Sequence, residues 1–178
     1  MNDKVLPPIE QLKLDSNLLG LLSRIKLLVM DFDGVLTTNS VFVSQGGTES
    51  VECSRFDGVG LSAIRKFDIK TAVISAEKNP VVSARCKKLN LDCHQDVSDK
   101  ISMLNDIVKQ AGLSLEQTAY IGNDLYDLPC LNAAAMAIIV NDAHFSVQNL
   151  GYYKTNTSGG RGAVREVCDL IVQAKKIL

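Results

Sequence analysis

Two aspartates separated by one residue stand in Asp31-Phe-Asp33-Gly-Val-Leu-Thr37, at the end of the almost continuously apolar run from Ile25 to Phe32. Residues two apart on an extended chain share a face, so Asp31 and Asp33 can converge on one point. Carboxylates that close perturb each other's ionisation unless a proton or cation lies between them. Magnesium, a hard ion that prefers carboxylate, water and phosphate oxygens, meets that need. Taken alone, the segment also reads as a polar loop turning at Asp33-Gly34.

Three further features follow later β-rich or helical patterns. Ser75 closes Thr71-Ala-Val-Ile-Ser75 and can offer a hydroxyl to a phosphoryl oxygen. Lys100 falls early in a helical pattern and can bring a cation to the same edge. Gly122-Asn123-Asp124-Leu-Tyr-Asp127 follows Thr118 to Ile121 and supplies amide and carboxylate oxygens for a metal. Each has an ordinary alternative: a loop serine, a solvated lysine, aspartates that cap the next helix. Their order and shared position beyond strand ends carry more weight than any one of them.

The elements that must position these groups alternate. Ile25–Phe32, Thr71–Ser75, Thr118–Gly122 and Met136–Val140 read as strands buried on both faces. Helical stripes lie between and after them: Gly58–Phe67, Pro80–Leu89 with Asn79 as a cap, Ser98–Ala111 with Ser98 as a cap, and Gly162–Ile177. That alternation predicts an α/β fold, a Rossmann-like parallel sheet with helices on both faces. Ligands of such sheets bind beyond the carboxyl ends of the strands. Ser40 to Cys53 reads as a β-hairpin turning at Gln45-Gly46-Gly47. The expectation is one domain over residues 1–178, with a small hairpin flap over 38–54 after the first strand and no large cap.

Bulk composition narrows the function classes. Nineteen basic against twenty acidic residues among 178 give no global field for nucleic acid or anionic lipid. Met1 to Gln11 is polar and lacks the order of a secretion signal, and Leu18 to Leu22 is too short to span a bilayer. Cys53, Cys86, Cys93, Cys130 and Cys168 are scattered with no CxxC pair, which fits reduced thiols and a cytoplasmic location. Neither His94 nor His144 falls in a motif.

Together, Asp31-x-Asp33-Gly-x-x-Thr37, Ser75, Lys100 and Gly122-Asn-Asp-x-x-Asp127 resemble the haloacid dehalogenase superfamily of phosphatases, from about Ile25 onward. The small hairpin, Arg55-Phe-Asp-Gly-Val-Gly-Leu61 and Ser158-Gly-Gly-Arg-Gly-Ala-Val-Arg-Glu166 resemble the subgroup acting on 3-deoxy-D-manno-octulosonate 8-phosphate, in lipopolysaccharide biosynthesis. Sialic-acid-type (N-acylneuraminate, nonulosonate) 9-phosphate phosphatases are similar too. The resemblance implies Asp31 as nucleophile, Asp33 as acid and base, and Mg2+ held by Asp31, the Asp33 carbonyl and Asn123. It further implies Ser75 and Lys100 on phosphate, Asp124 and Asp127 in support, and Thr37, Arg55, Glu77 and Arg161 toward substrate.

Two departures bear on these roles. Asn123 stands where the family usually has Asp, which removes a charge from the metal site. Ala76-Glu77-Lys78 stands where octulosonate-specific relatives usually continue Gly-Arg, and looks more like the sialic-acid branch. An arginine there would pair with a substrate carboxylate, whereas Glu77 would accept hydrogen bonds from sugar hydroxyls or a neighbouring chain. A hairpin this small cannot seal a pocket, so a homo-oligomer, a tetramer by resemblance, is expected to complete the lid. Leu12, Leu14, Leu18 and Leu19 could serve that interface or pack as an ordinary helix. The readings of another class are a phospho-accepting receiver domain, disfavoured by Asp33, and a degenerate structural member, suggested only by Asn123.

Overall fold

In the computed structural model, which describes residues 16–177, the apolar run after Ile25 forms β1, Leu27–Met30, with every residue buried. Strand β1 pairs in parallel with β4, Lys70–Ile74, on one side and β6, Thr118–Gly122, on the other. Beyond β4 lies β5, Asp92–His94; beyond β6 lie β7, Met136–Ile139, and β8, Tyr153–Lys154. The six-stranded order is β5-β4-β1-β6-β7-β8, and all neighbours are parallel. The chain first builds outward from β1 to β5, then returns to the other side of β1. That reversal makes the carboxyl end of β1 the switch point of the sheet, where a ligand crevice opens.

Among the described residues six α-helices surround the sheet: α1, Ser16–Arg24; α2, Arg55–Ile64; α3, Val81–Leu89; α4, Lys100–Ala111; α5, Leu128–Ala133; and α6, Ala163–Ile177. With this strand order, the right-handed crossover rule assigns α2 and α3 to one face and α4 and α5 to the other. Helix α6 packs against α1 and α2, while α4 packs against α5. The apolar stripe of α6, including Val164, Val167, Leu170 and Ile171, is buried. Burying each such side chain stabilises by about 1.5–3 kcal/mol, which fastens α6 onto α1 and α2. Among the described residues no helix is long and apolar enough to cross a membrane.

The hairpin pairs β2, Thr37–Val43, with β3, Glu49–Cys53, and is irregular between Thr37 and Val41. Gly47, at φ +80, turns the chain, a backbone that a side chain would strain. Val41, Phe42 and Val43 stand exposed on it.

Several element boundaries differ from the sequence reading. Helix α2 begins at Arg55, not Gly58, because Ser54 Oγ accepts the Phe56 N–H as a cap. The cap of α4 is Asp99, whose carboxylate accepts both the N–H and the hydroxyl of Ser102, and Ser98 stands outside. Strands β5 and β8 escaped the pattern because they are short and carry polar residues. Leu12 and Leu14 lie outside the described residues, whereas Leu18 and Leu19 of α1 pack against the core.

Candidate active site

Asp31 follows β1 directly, and its N–H still bonds to Ile121 O of β6 at 3.0 Å. The chain then folds back on itself. Phe32 O accepts the N–H groups of Val35, Leu36 and Thr37, and Gly34 adopts φ +76. Thr37 Oγ1 accepts the Gly34 N–H at 3.2 Å. Fully buried, Thr37 holds this loop together and does not line the cavity, contrary to the expectation of substrate contact. A β-carbon at Gly34 would overlap the Asn123 side-chain amide, so only glycine lets the two loops close on each other.

Behind Asp31 lies a buried ionic network. Lys100 Nζ is 2.9 Å from Asp31 Oδ2 and 2.8 Å from Asp127 Oδ1. Asp127 Oδ1 also accepts the Tyr120 hydroxyl at 2.8 Å, and its Oδ2 accepts the N–H groups of Asn123 and Asp124 at 2.8 and 3.3 Å. Burial pulls the Lys100 ammonium down, but the Asp31 and Asp127 carboxylates outweigh it and hold the group above its ordinary value. For Asp31, burial and then the charge of Asp127 outweigh Lys100 and raise the carboxyl to about 7.

Seen from solvent, a cavity of about 270 Å³ is lined by Asp31, Asp33, Ser75, Glu77, Lys100 and Asn123, together with Asn39, Ala76, Asp124 and Tyr126. Ser75 is buried at the end of β4, where its N–H extends the pairing to His94 O, and its Oγ accepts the Glu77 N–H. Burial and then the charge of Glu77 raise the Asp33 carboxyl, which favours a proton-carrying form. A second cavity of about 240 Å³ shares Asp33, Asn39 and Glu77 and runs under the hairpin to Glu49 and Asn79. Asn79 Nδ2 donates to Glu49 Oε2 at 3.2 Å and ties the hairpin to the start of α3.

The structure brings together Asp31, Asp33, Ser75, Glu77, Lys100, Asn123 and Asp124, with Asp127 one layer behind. It does not bring Arg55 or Arg161 to the cavity. Arg55 is exposed in the first turn of α2. Arg161 forms a two-pronged pair with Glu52 of the hairpin, 2.8 Å for Nη2 to Oε2. Its loop has a structural duty: Gly160 N bonds to Val35 O at 2.9 Å, and a β-carbon at Gly159 would overlap the Gly34 carbonyl. Asp124 caps the following turn through the Leu125 N–H and meets His144 Nδ1 at 3.5 Å. His144 also donates its backbone N–H to Asn123 O at 2.8 Å, so the histidine left out of every motif braces the Asn123 loop. Tyr120, Asn39 and Asn79 were likewise missed. Only Tyr120 left a trace in the sequence, as a phenol in a strand buried on both faces.

Among the described residues no three His, Cys, Asp or Glu side chains cluster as a metal site. A hard cation nevertheless fits. The Asn123 side chain, in a residue 5% exposed, lines the cavity beside Asp31. Burial and the Asp127 charge raise the Asp31 carboxyl, a shift that a cation in the cavity would oppose. One carboxylate, one carbonyl and one amide form an incomplete set that water and phosphate oxygens would fill, as suits magnesium.

Comparison with known proteins adds the following. A family model described as haloacid dehalogenase-like hydrolase matches residues 66–166. The chain is 35% identical over 152 residues to the 3-deoxy-D-manno-octulosonate 8-phosphate phosphatase of Escherichia coli K12, covering 85% of this chain and 81% of that one. A crystal structure of that phosphatase from Yersinia pestis superposes with a TM-score of 0.88 at 32% identity, covering 92% and 89% of the two chains. The Moraxella catarrhalis enzyme, solved with magnesium, phosphate and a KDO molecule, gives 0.85 at 34% identity, covering 89% and 91%.

Proposed function

The chain belongs to the haloacid dehalogenase-like hydrolases, and on that premise we propose that it hydrolyses a phosphorylated 3-deoxy sugar acid through an aspartyl phosphate on Asp31. The observation that carries the reading is the convergence of Asp31, Asp33, Ser75, Lys100 and Asn123 on one cavity at the switch point of the sheet. A carboxylate oxygen of Asp31 forms a bond to phosphorus as the bond from phosphorus to the ester oxygen breaks. Asp33, its carboxyl raised by burial and Glu77, gives its proton to the leaving alkoxide. Ionised, Asp33 then takes a proton from a water that attacks phosphorus, which releases inorganic phosphate and restores Asp31. Lys100 and the Ser75 hydroxyl hold the phosphoryl oxygens, so catalysis is mostly positioning and electrostatics. Magnesium, when bound by Asp31, the Asp33 carbonyl and Asn123, supplies positive charge that offsets repulsion between nucleophile and phosphate.

The named relatives, and the magnesium, phosphate and KDO in one of them, support 3-deoxy-D-manno-octulosonate 8-phosphate as the substrate. Glu77 favours a second reading, a nonulosonate 9-phosphate. Asp33, Glu49 and Glu77 line the cavity under the hairpin and, among the described residues, no Lys, Arg or His does, so the acyl-amide N–H that an N-acylneuraminate carries and an octulosonate lacks would find acceptors there. Phosphate release from both substrates, with and without magnesium, tests the proposal. Magnesium-dependent release from one identifies the substrate; release from neither, by a folded protein, rejects both substrates and points to another phosphomonoester or to a non-catalytic role.

The exposed Val41, Phe42 and Val43 support a homo-oligomer in which a second copy closes the site. A fully active monomer by light scattering would sink that part. The free cysteines support a reducing, cytoplasmic compartment.

A further inference from the structure

Tyr120 is a fully buried phenol in the central part of the sheet, beside β1. Phenylalanine would fill the same volume without the cost of burying a hydroxyl, which must find an acceptor. That acceptor is Asp127 Oδ1, 2.8 Å away. The same oxygen holds the Lys100 ammonium at 2.8 Å, while Oδ2 is engaged by the N–H groups of Asn123 and Asp124. The Asp127 carboxylate therefore has a donor on every side, and its orientation is set by all of them.

Lys100 is shared. It bridges Asp127 and Asp31, so its position near the nucleophile reflects the balance between two carboxylates. The phenolic hydrogen offsets part of the negative charge on Asp127 Oδ1 and keeps that oxygen from taking the ammonium for itself. Without it, Oδ1 would have Lys100 as its remaining partner and would draw it away from the cavity. Burial makes this balance sensitive, because little water is present to screen it.

We propose that Tyr120 is a positioning residue of this site: its buried hydroxyl, acting through Asp127, holds Lys100 where it can meet both Asp31 and a phosphoryl group. The inference rests on the phosphatase reading for one part only, that Lys100 meets a phosphoryl group in this cavity.

The test is Tyr120→Phe, which keeps the ring, made in the wild-type and in the Lys100→Ala backgrounds. Calorimetric titration with inorganic phosphate in magnesium, steady-state kinetics and thermal melting are measured on all four proteins. In the wild-type background the phosphate dissociation constant is expected to rise about tenfold, the size of one hydrogen bond to a charged group. In the Lys100→Ala background the same change is expected to cost less than about twofold, because the group it acts through is gone. A tyrosine that only supports the fold would lower the melting temperature and leave phosphate affinity unchanged, and that result overturns the proposal. An equal loss of affinity in both backgrounds overturns it too. A wild type that binds phosphate more tightly than Tyr120→Phe yet hydrolyses no phosphomonoester would overturn the catalytic reading and leave this inference standing.

Discussion

Replacing Asp57 by Asn isolates one buried charge whose effect on stability has a calculable size and sign. Asp57 lies in the first turn of α2, just beyond the hairpin, and is fully buried. Its Oδ1 accepts the Arg165 N–H at 2.9 Å, which links α2 to the start of α6; its Oδ2 has no hydrogen-bond partner among the described residues. Burial raises the carboxyl from 3.8 to about 6, against the opposing Arg165 N–H and the Arg85 and Arg165 cations. Below the unfolded value the group is protonated in both states, and the stability this contributes is fully present. As pH rises toward 6, the unfolded chain loses its proton first and the contribution is lost. The shift corresponds to about 3 kcal/mol between roughly pH 4 and neutrality. Asparagine mimics the protonated group and does not titrate. The difference in unfolding free energy between Asp57→Asn and wild type should therefore move toward the variant by about 3 kcal/mol over that window. Urea unfolding in chelator at a series of pH values measures it, and other titrating groups cancel in the difference. A difference that stays constant with pH would refute the reasoning.

Asp31→Asn should abolish turnover, since an amide is no nucleophile toward phosphorus, while the folded protein keeps its circular dichroism spectrum; unchanged activity rejects Asp31 as the attacking group. Gly159→Ala should cost about 1–3 kcal/mol of stability and displace the loop carrying Asp33, because its new methyl would overlap the Gly34 carbonyl. Melting and phosphate-release assays check this, and a variant as stable and active as wild type would show that the two loops separate freely.

The parallel sheet was legible because its central strands are buried on both faces and so are written as apolar runs that end in polar residues. Met30 before Asp31, Ile74 before Ser75 and Ile121 before Gly122 mark those ends, and the switch of strand order at β1 then gathers them. Asp31, Asp33, Ser75, Lys100 and Asn123 could be picked out as candidates for that reason. Short edge strands were not legible, since Asp92–His94 and Tyr153–Lys154 have too few residues to establish a period. Nor could local sequence say which way a long side chain turns. Arg161 sits in a motif that pointed it toward substrate, yet the fold places Glu52, 109 positions away, within its reach. The role of Asp127 as the anchor of Lys100 depends on contacts 7 and 27 positions apart, with Tyr120 and Lys100. Sequence spacing determines which groups can share a strand end or a helix face. Which charges face each other is decided only when elements remote in the chain pack, because partner choice in a buried site follows distance in space and the cost of leaving any one charge alone.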